Sequence, residues 1–252
     1  MSSVYISQAR IDNITFNEAI DRIERFIKNR RPSYIVTPNV DHIVKLQDDK
    51  EFQKIYHNAD LAIVDSVPLL LTAKYLNTPL KEKISGSDLF PAFCGVAAQK
   101  GYRVFLLGGR PGAARKAGEV LKNKYTGLQI RGTYCPPYNF ENDELENNHI
   151  VDIIKKAEPD ILFVGLGAPK QEKWIYKYKE LYSVPVSIGI GVSFEFIAGM
   201  VKRAPRWMQK IGLEWFWRLI LEPKRLWKRY LVDGLKFFRI IIKQAKKKSS
   251  GH

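Results

Sequence analysis

The stretch RVFLLGGRPGAA, Arg103 to Ala114, decides how the chain is read. Five residues of strand length and strongly apolar character are broken by Gly108, Gly109, Pro111 and Gly112, and an amphipathic segment of helical spacing follows. A strand that ends in a glycine turn and feeds a helix is half of a βαβ unit. Four further runs repeat the arrangement: SYIVT (Ser33–Thr37), LAIV (Leu61–Val64), ILFVG (Ile161–Gly165) and VPVSIG (Val184–Gly189). The alternation predicts an α/β fold, a Rossmann-like parallel sheet flanked by helices. Helix-boundary signals agree. Thr15 and Glu18 form a capping-box pattern before AIDRIERFIKN, and Gly101 follows FPAFCGVAAQK as a C-terminal cap glycine.

Charge divides the chain. The 252 residues carry a formal net charge of +15, but 15 lysines and arginines against 3 acids lie between Val201 and Lys248, a balance of +12. Residues 1–200 hold the remaining 26 against 23, only +3. Four of the five tryptophans, Trp207, Trp215, Trp217 and Trp227, also sit in the tail. We therefore expect a Rossmann-like domain over residues 1–199, a basic helical appendage over 200–248 and a short terminal remnant over 249–252. Cys94 and Cys135 are the two cysteines, with no CxxC and no paired Cys/His spacing, so neither a disulfide framework nor a metal site is expected. No N-terminal apolar signal region is seen, and a reducing, cytoplasmic location is expected.

In open α/β sheets, ligands bind beyond the carboxyl ends of the strands. The loops there are TPNVDH (Thr37 to His42), DSVP (Asp65 to Pro68), GGRPGAA, LGAPKQEKW (Leu166 to Trp174) and GIGVSFEFIAG (Gly189 to Gly199). Each has a structural reading beside a functional one. GGRPG lacks the spacing of the dinucleotide fingerprint and of the P-loop, so Gly108 and Gly109 read either as ordinary turn chemistry or as a phosphate cradle at a helix start. Asp65 either caps the helix beginning near Pro68 or does chemistry, and Asn39 and Asp41 either cap or turn. His42 faces solvent or packs on its helix.

Taken in order, TPNVDH, the Asp65 turn, SGSDLF, FLLGGRPGAA, VGLGAPKQEKW, the IAG…RAPRW junction and GLEWFWRLILEPKRLWKRY resemble the WecG/TagA/CpsF glycosyltransferases from about Tyr5 to Tyr230. The resemblance implies transfer of a sugar, typically N-acetylmannosamine, from a UDP-sugar donor to an undecaprenyl-pyrophosphate-linked amino sugar, in teichoic-acid or surface-polysaccharide synthesis. It further implies that Thr37 and Asp65 are the active-site pair, that Asn39 and Gln171 line the nucleotide pocket, and that Arg218 and Arg225 reach the active site from the appendage. Lys83, Glu195 and Lys228 occupy further substrate-binding positions where the family commonly has arginine, aspartate and arginine, and Ser66 stands where glycine is common.

The residue types suit that chemistry. Glycosyl transfer to an alcohol needs a base for the acceptor proton, and Asp65 is the candidate. The departing UDP gathers negative charge, which a metal ion or arginines and backbone N–H groups must meet. The adjacent pair Asp48 and Asp49 lies in a helical, charge-rich segment and not at a strand end. Metal-free catalysis is therefore expected, with Arg218, Arg225 and the GGRPG amides supplying the positive field and no cofactor required. One-step backside attack inverts the anomeric centre, as the family's β-linked products imply.

The tail explains how such an enzyme meets a lipid acceptor. At ~100° per residue, Lys228, Arg229, Lys236, Arg239, Lys243, Lys246 and Lys247 fall within about 60° of Arg225, opposite an arc of Leu226, Trp227, Tyr230, Leu231, Leu235, Phe237, Phe238, Ile241 and Ile242. Such a helix can lie in an anionic membrane surface, and a peripheral position on the cytoplasmic face of the cell membrane is expected. The alternatives are that the apolar arc packs on the α/β domain or on another subunit, which leaves self-association open, or that the chain is a non-enzymatic membrane-binding module. A nucleotide-cofactor oxidoreductase on the same sheet lacks its glycine fingerprint. No nucleic-acid module accompanies the tail, and no nucleic-acid partner is expected.

Overall fold

The computed structural model describes residues 2–249. A hairpin of β1 (Ser3–Ile6) and β2 (Ala9–Asp12) leads into α1 (Phe16–Asn29), β3 (Ser33–Val36), α2 (Val40–Lys45), α3 (Lys50–His57), β4 (Leu61–Ala62), α4 (Val67–Tyr75) and α5 (Gly86–Lys100). Then come β5 (Arg103–Gly108), α6 (Ala113–Lys124), β6 (Gln129–Tyr134), α7 (Glu144–Ala157), β7 (Ile161–Gly165), α8 (Lys170–Tyr182), β8 (Val186–Gly189) and α9 (Ser193–Ile197). The C-terminal segment holds α10 (Arg206–Lys210), α11 (Glu214–Leu221), α12 (Pro223–Trp227) and α13 (Asp233–Ser249).

Six strands form one parallel sheet in the order β4-β3-β8-β7-β5-β6. The α/β sheet flanked by helices is therefore as expected. Successive strand residues supply opposite faces: Tyr34, Val36, Leu162 and Val164 enter one apolar layer, and Ile35, Ile161, Phe163 and Ile188 the other. Burial on both faces is what makes these strands continuous apolar runs. From the adjacent strands β5 and β7 the chain departs in opposite directions, to β6 and to β8, so their carboxyl ends open a crevice.

The capping box at Thr15 forms, with Glu18 N–H on Thr15 Oγ1 at 3.3 Å and Thr15 N–H on Glu18 Oε2 at 2.6 Å. Gly101 ends α5 at φ 73°, a left-handed geometry suited to glycine. Two elements escaped the sequence reading. β6 is the edge strand, exposed enough that QIRGTY carries no apolar run. In the β1–β2 hairpin, which turns at Ser7 (φ 53°), β1 alternates exposed and buried residues and β2 is short and mostly buried.

The tail departs from a single straight helix. Between α12 and α13, Lys228–Val232 forms a π-helical turn, which advances by less than 100° per residue and puts the two segments out of phase. The apolar arc also divides. Leu226 and Ile241 are buried, and Phe237 and Ile240 pack on the core layer that contains the hairpin and α2. Gln244 fixes α13 to the hairpin, accepting from Ser7 N–H at 2.7 Å and donating to Tyr5 O at 3.0 Å. Trp227, Leu231, Leu235, Phe238 and Ile242 remain exposed. Among the described residues no helix is long and apolar enough to cross a membrane. Residues 250–252 of the expected remnant, and the side chains of Arg229 and Lys247 from the expected basic face, lie outside the described residues.

Candidate active site

A cleft of about 830 Å³ opens at the carboxyl ends of β3, β5, β7 and β8, and α10 to α13 form part of its wall. Thr37, Asn39, Asp65, Lys83, Gly109 and Gln171 line it from the sheet side, together with Glu195 of α9; Arg218 and Arg225 line it from the C-terminal helices. Nine of the eleven expected site residues are thus brought together. The other two stand apart. Gly108 is needed where β5 meets β7: a Cβ there would come within 2.8 Å of Gly165 O. Lys228 is exposed, with its Nζ 5.6 Å from the Trp227 ring centre.

Asp65 follows β4, with its N–H on Pro38 O at 2.9 Å. The helix behind it begins at Ser66 without a side-chain cap, so Asp65 is not tied up as a cap. Burial pushes its carboxyl up to about 8; Lys83 opposes that rise, while Glu214 and Asp88 add to it. A carboxylate tuned near neutral pH is matched to proton abstraction from a hydroxyl. Ser66 Oγ, beside it in the cleft, is buried and has no hydrogen-bond partner among the described residues.

Thr37 and Gln171 hold the sheet edge together. Thr37 Oγ1 donates to Gly189 O at 3.2 Å. Gln171 Oε1 accepts from the N–H of Gly167 at 3.2 Å and of Gly191 at 3.1 Å, which joins the loops after β7 and β8, and Nε2 donates to Glu172 Oε1 at 2.7 Å. Asn39 caps α2, accepting from His42 N–H at 3.3 Å, so its capping reading and its place in the cleft are both realised. His42 is buried, not solvent-facing; its Nδ1 meets Tyr56 Oη, and Phe52 packs edge-on against the ring.

The GGRPG amides do not form an open cradle. Gly109 N–H donates to Gly165 O at 2.8 Å, and Arg110 N–H donates to Glu195 Oε1 at 2.9 Å. A carboxylate therefore occupies the place where an anion was expected, and Glu195 organises the loop. Its Oε2 is buried without a hydrogen-bond partner among the described residues. Asp49 is not inside a helix either: it caps α3 through Phe52 N–H at 2.9 Å and pairs with Lys173 at 2.8 Å, so it is committed to structure. Among the described residues no three or more His, Cys, Asp or Glu side chains are grouped so as to hold a metal ion.

Three functional candidates were missed. Arg203 bridges Asp88 and Glu214 at 2.7 and 3.1 Å. Arg110 and Glu222 form an ion pair at 2.5 Å. Arg110 does carry a sequence signal, a single cation in a strand-end glycine loop.

A parallel α/β sheet with a pKa-tuned carboxylate and converging arginines at its carboxyl edge is the architecture of an enzyme acting on an anionic substrate. The chain matches the Glycosyl transferase WecG/TagA/CpsF family over residues 4–251 and belongs to that family. A Bacillus subtilis (strain 168) relative named N-acetylglucosaminyldiphosphoundecaprenol N-acetyl-beta-D-mannosaminyltransferase is 32% identical over 239 residues, covering 94% of this chain and 90% of the relative. Proteins of the same name in Bacillus spizizenii (strain ATCC 23059 / NRRL B-14472 / W23) and Staphylococcus aureus (strain NCTC 8325 / PS 47) are 32% identical over 206 residues and 28% over 239. These cover 82% and 94% of this chain, and 77% and 91% of the relatives.

Proposed function

We propose that this glycosyltransferase moves N-acetylmannosamine from a UDP-sugar to N-acetylglucosamine carried on undecaprenyl diphosphate, with inversion at the anomeric carbon. The observation that carries the proposal is the convergence of Asp65 with Arg218 and Arg225 on one cleft, in a chain that shares 32% identity with a relative named for that transfer. Asp65 takes the proton from the acceptor hydroxyl as the new C–O bond forms and the bond to the UDP oxygen breaks. The arginines meet the charge that develops on the departing diphosphate, so the reaction runs without a metal ion. Asn39, Gln171, Glu195 and Lys83 shape the donor pocket around it.

The acceptor is lipid-linked, and the basic segment after residue 199 serves as a membrane-contacting appendage to the sheet domain. Exposed Trp207, Ile211, Phe216, Leu231, Leu235 and Phe238, among lysines and arginines, support a peripheral position on an anionic surface at the cytoplasmic face. The direct test is release of UDP from UDP-N-acetylmannosamine in the presence of a short-chain prenyl-diphosphate N-acetylglucosamine. Release that depends on both substrates supports the reading; turnover with a different donor and none with this one overturns it.

A further inference from the structure

Three arginines from three separate elements meet on one carboxylate beside the cleft. Glu222 Oε1 accepts from Arg110 Nη2 at 2.5 Å, Glu222 Oε2 accepts from Arg225 Nη2, and Arg218 Nη2 lies 3.9 Å from the same oxygen. Arg110 comes from the turn after β5, Arg218 from α11 and Arg225 from α12. All three line the cleft, whereas Glu222 does not. The carboxylate therefore stands behind the guanidinium groups and leaves their other donors toward the cavity side.

The charge balance is incomplete. Three guanidinium charges face the one carboxylate of Glu222, an excess of two, and the nearby Glu195 carboxylate is directed to the backbone N–H of Arg110. Arg218 is mostly buried, its side chain 15% exposed, and its Nε has no hydrogen-bond partner among the described residues. A buried donor without a partner and an under-neutralised cation cluster both favour entry of a multivalent anion. Guanidinium forks match the paired oxygens of a diphosphate.

We infer that Arg110 completes, with Arg218 and Arg225, a diphosphate clamp, and that Glu222 is the positioning residue that holds the three guanidinium groups together. That the diphosphate belongs to a nucleotide sugar or a prenyl carrier rests on the proposed function; the clamp itself does not. Arg110 and Arg225 thereby join at Glu222 between the sheet and the C-terminal helices.

The test is calorimetric titration of the full-length protein with inorganic pyrophosphate, UDP, uridine and a short-chain prenyl diphosphate. Arg110→Ala should weaken pyrophosphate and UDP binding about 10-fold or more, the effect of losing a charge-assisted hydrogen bond, and leave uridine unchanged. Arg110→Lys should recover only part of that loss, because an ammonium lacks the fork. Glu222→Gln should also weaken diphosphate binding, by about threefold given that two of its partners are half exposed, while Glu222→Asp restores part of it. Loss confined to the prenyl diphosphate assigns the clamp to the acceptor, and loss confined to UDP assigns it to the donor. Wild-type binding of pyrophosphate that is lost in Arg110→Ala supports the clamp even if no UDP binding is found, in which case it is the nucleotide-sugar reading that fails. Affinity in Arg110→Ala that is unchanged for pyrophosphate, UDP and the prenyl diphosphate alike would overturn the clamp. Tighter binding in Glu222→Gln would show that Glu222 competes with the anion and would overturn its positioning role.

Discussion

Arg203 Nη1 donates to Asp88 Oδ1 at 2.7 Å, while its Nε reaches Glu214 at 3.1 Å. The guanidinium thus ties the first turn of α5 to the first turn of α11 and separates two carboxylates that both act on Asp65. Removing it leaves the acids facing each other without their cation. Arg203→Ala should lower stability by about 1–2 kcal/mol, the lower end reflecting the partial exposure of Asp88, and so lower Tm by several degrees. It should also move the pH–rate profile to higher pH, because uncompensated Asp88 and Glu214 raise the Asp65 carboxyl further. A variant that melts and titrates like the wild type would contradict the bridge.

Asp65 itself supplies the second prediction. With its carboxyl at about 8, the free enzyme holds this group protonated at lower pH, so kcat/KM should climb with pH and level off above about 8. The stability effect runs the other way. The native state binds one more proton than the unfolded state between the ordinary carboxylate value near 4 and about 8, so this group's contribution falls as pH rises through that window. Asp65→Asn removes both effects: turnover should drop about 10²–10⁴-fold with little change in UDP affinity, and the variant's stability relative to wild type should rise from pH 5 to pH 9. Near-normal turnover would end the assignment of Asp65 as base.

A third prediction concerns the floor of the cleft. A Cβ added at Gly189 would come 2.5 Å from Gln171 Nε2 and 2.8 Å from its Cδ. Gln171 cannot swing aside freely, because it is buried and holds the loops after β7 and β8 through Gly167 and Gly191. Gly189→Ala should therefore cost about 1–3 kcal/mol, seen as a lower denaturation midpoint, and should raise the KM for the donor as the two loops separate.

How far the sequence disclosed this arrangement follows from burial. The central strands are buried on both faces, so Ile161–Gly165 and Val186–Gly189 appear as apolar runs that any periodicity search finds. The edge strand β6 and the hairpin β1–β2 carry no such run, and only pairing with their neighbours makes them strands. That Asp65, Thr37 and Arg218 line one cleft was legible because each lies in a distinctive motif at a strand end or in the tail. Glu222 and Arg203 were not, since Glu222 meets Arg110 over 112 residues of chain and Arg203 bridges acids 11 and 115 residues away, although Arg218 and Arg225 lie within four residues of Glu222. The π-helical turn at Lys228–Val232 was likewise invisible to a wheel drawn at a constant ~100° per residue.

Metal independence is the fourth prediction. Asp49 is held by Phe52 N–H and Lys173, and Arg110, Arg218 and Arg225 line the cleft. On the proposed reading, in which arginine supplies the positive charge that a divalent ion supplies in other transferases, turnover should change less than about twofold on addition of excess chelator. Activity abolished by chelator and restored by Mg²⁺ or Mn²⁺ would show a ligand set supplied jointly by substrate and protein.

The last prediction separates membrane contact from catalysis. Ending the chain after Gly199 removes Arg218 and Arg225, but it also uncovers core surface now covered by Phe237, Ile240 and Ile241, so loss of activity in that truncation has two causes. Charge reversal on the exposed side of α13 avoids the difficulty. Lys236, Arg239 and Lys243 are all exposed and line no part of the cleft. Reversing them to Glu changes the surface charge by six, and with each charge near an anionic surface contributing about 1 kcal/mol, sedimentation with anionic liposomes should be abolished at ordinary salt. Transfer to a short-chain acceptor in detergent should persist at nearly the wild-type rate, because Asp65 and the arginines are untouched. Replacing exposed Leu231, Leu235 and Phe238 by Ser should weaken liposome binding in a manner insensitive to salt, in contrast to the charge-reversed protein. If the charge-reversed protein still sediments with anionic vesicles, α13 is not the surface that meets the membrane, and the exposed aromatic residues of α10 and α11 become the segment to alter next.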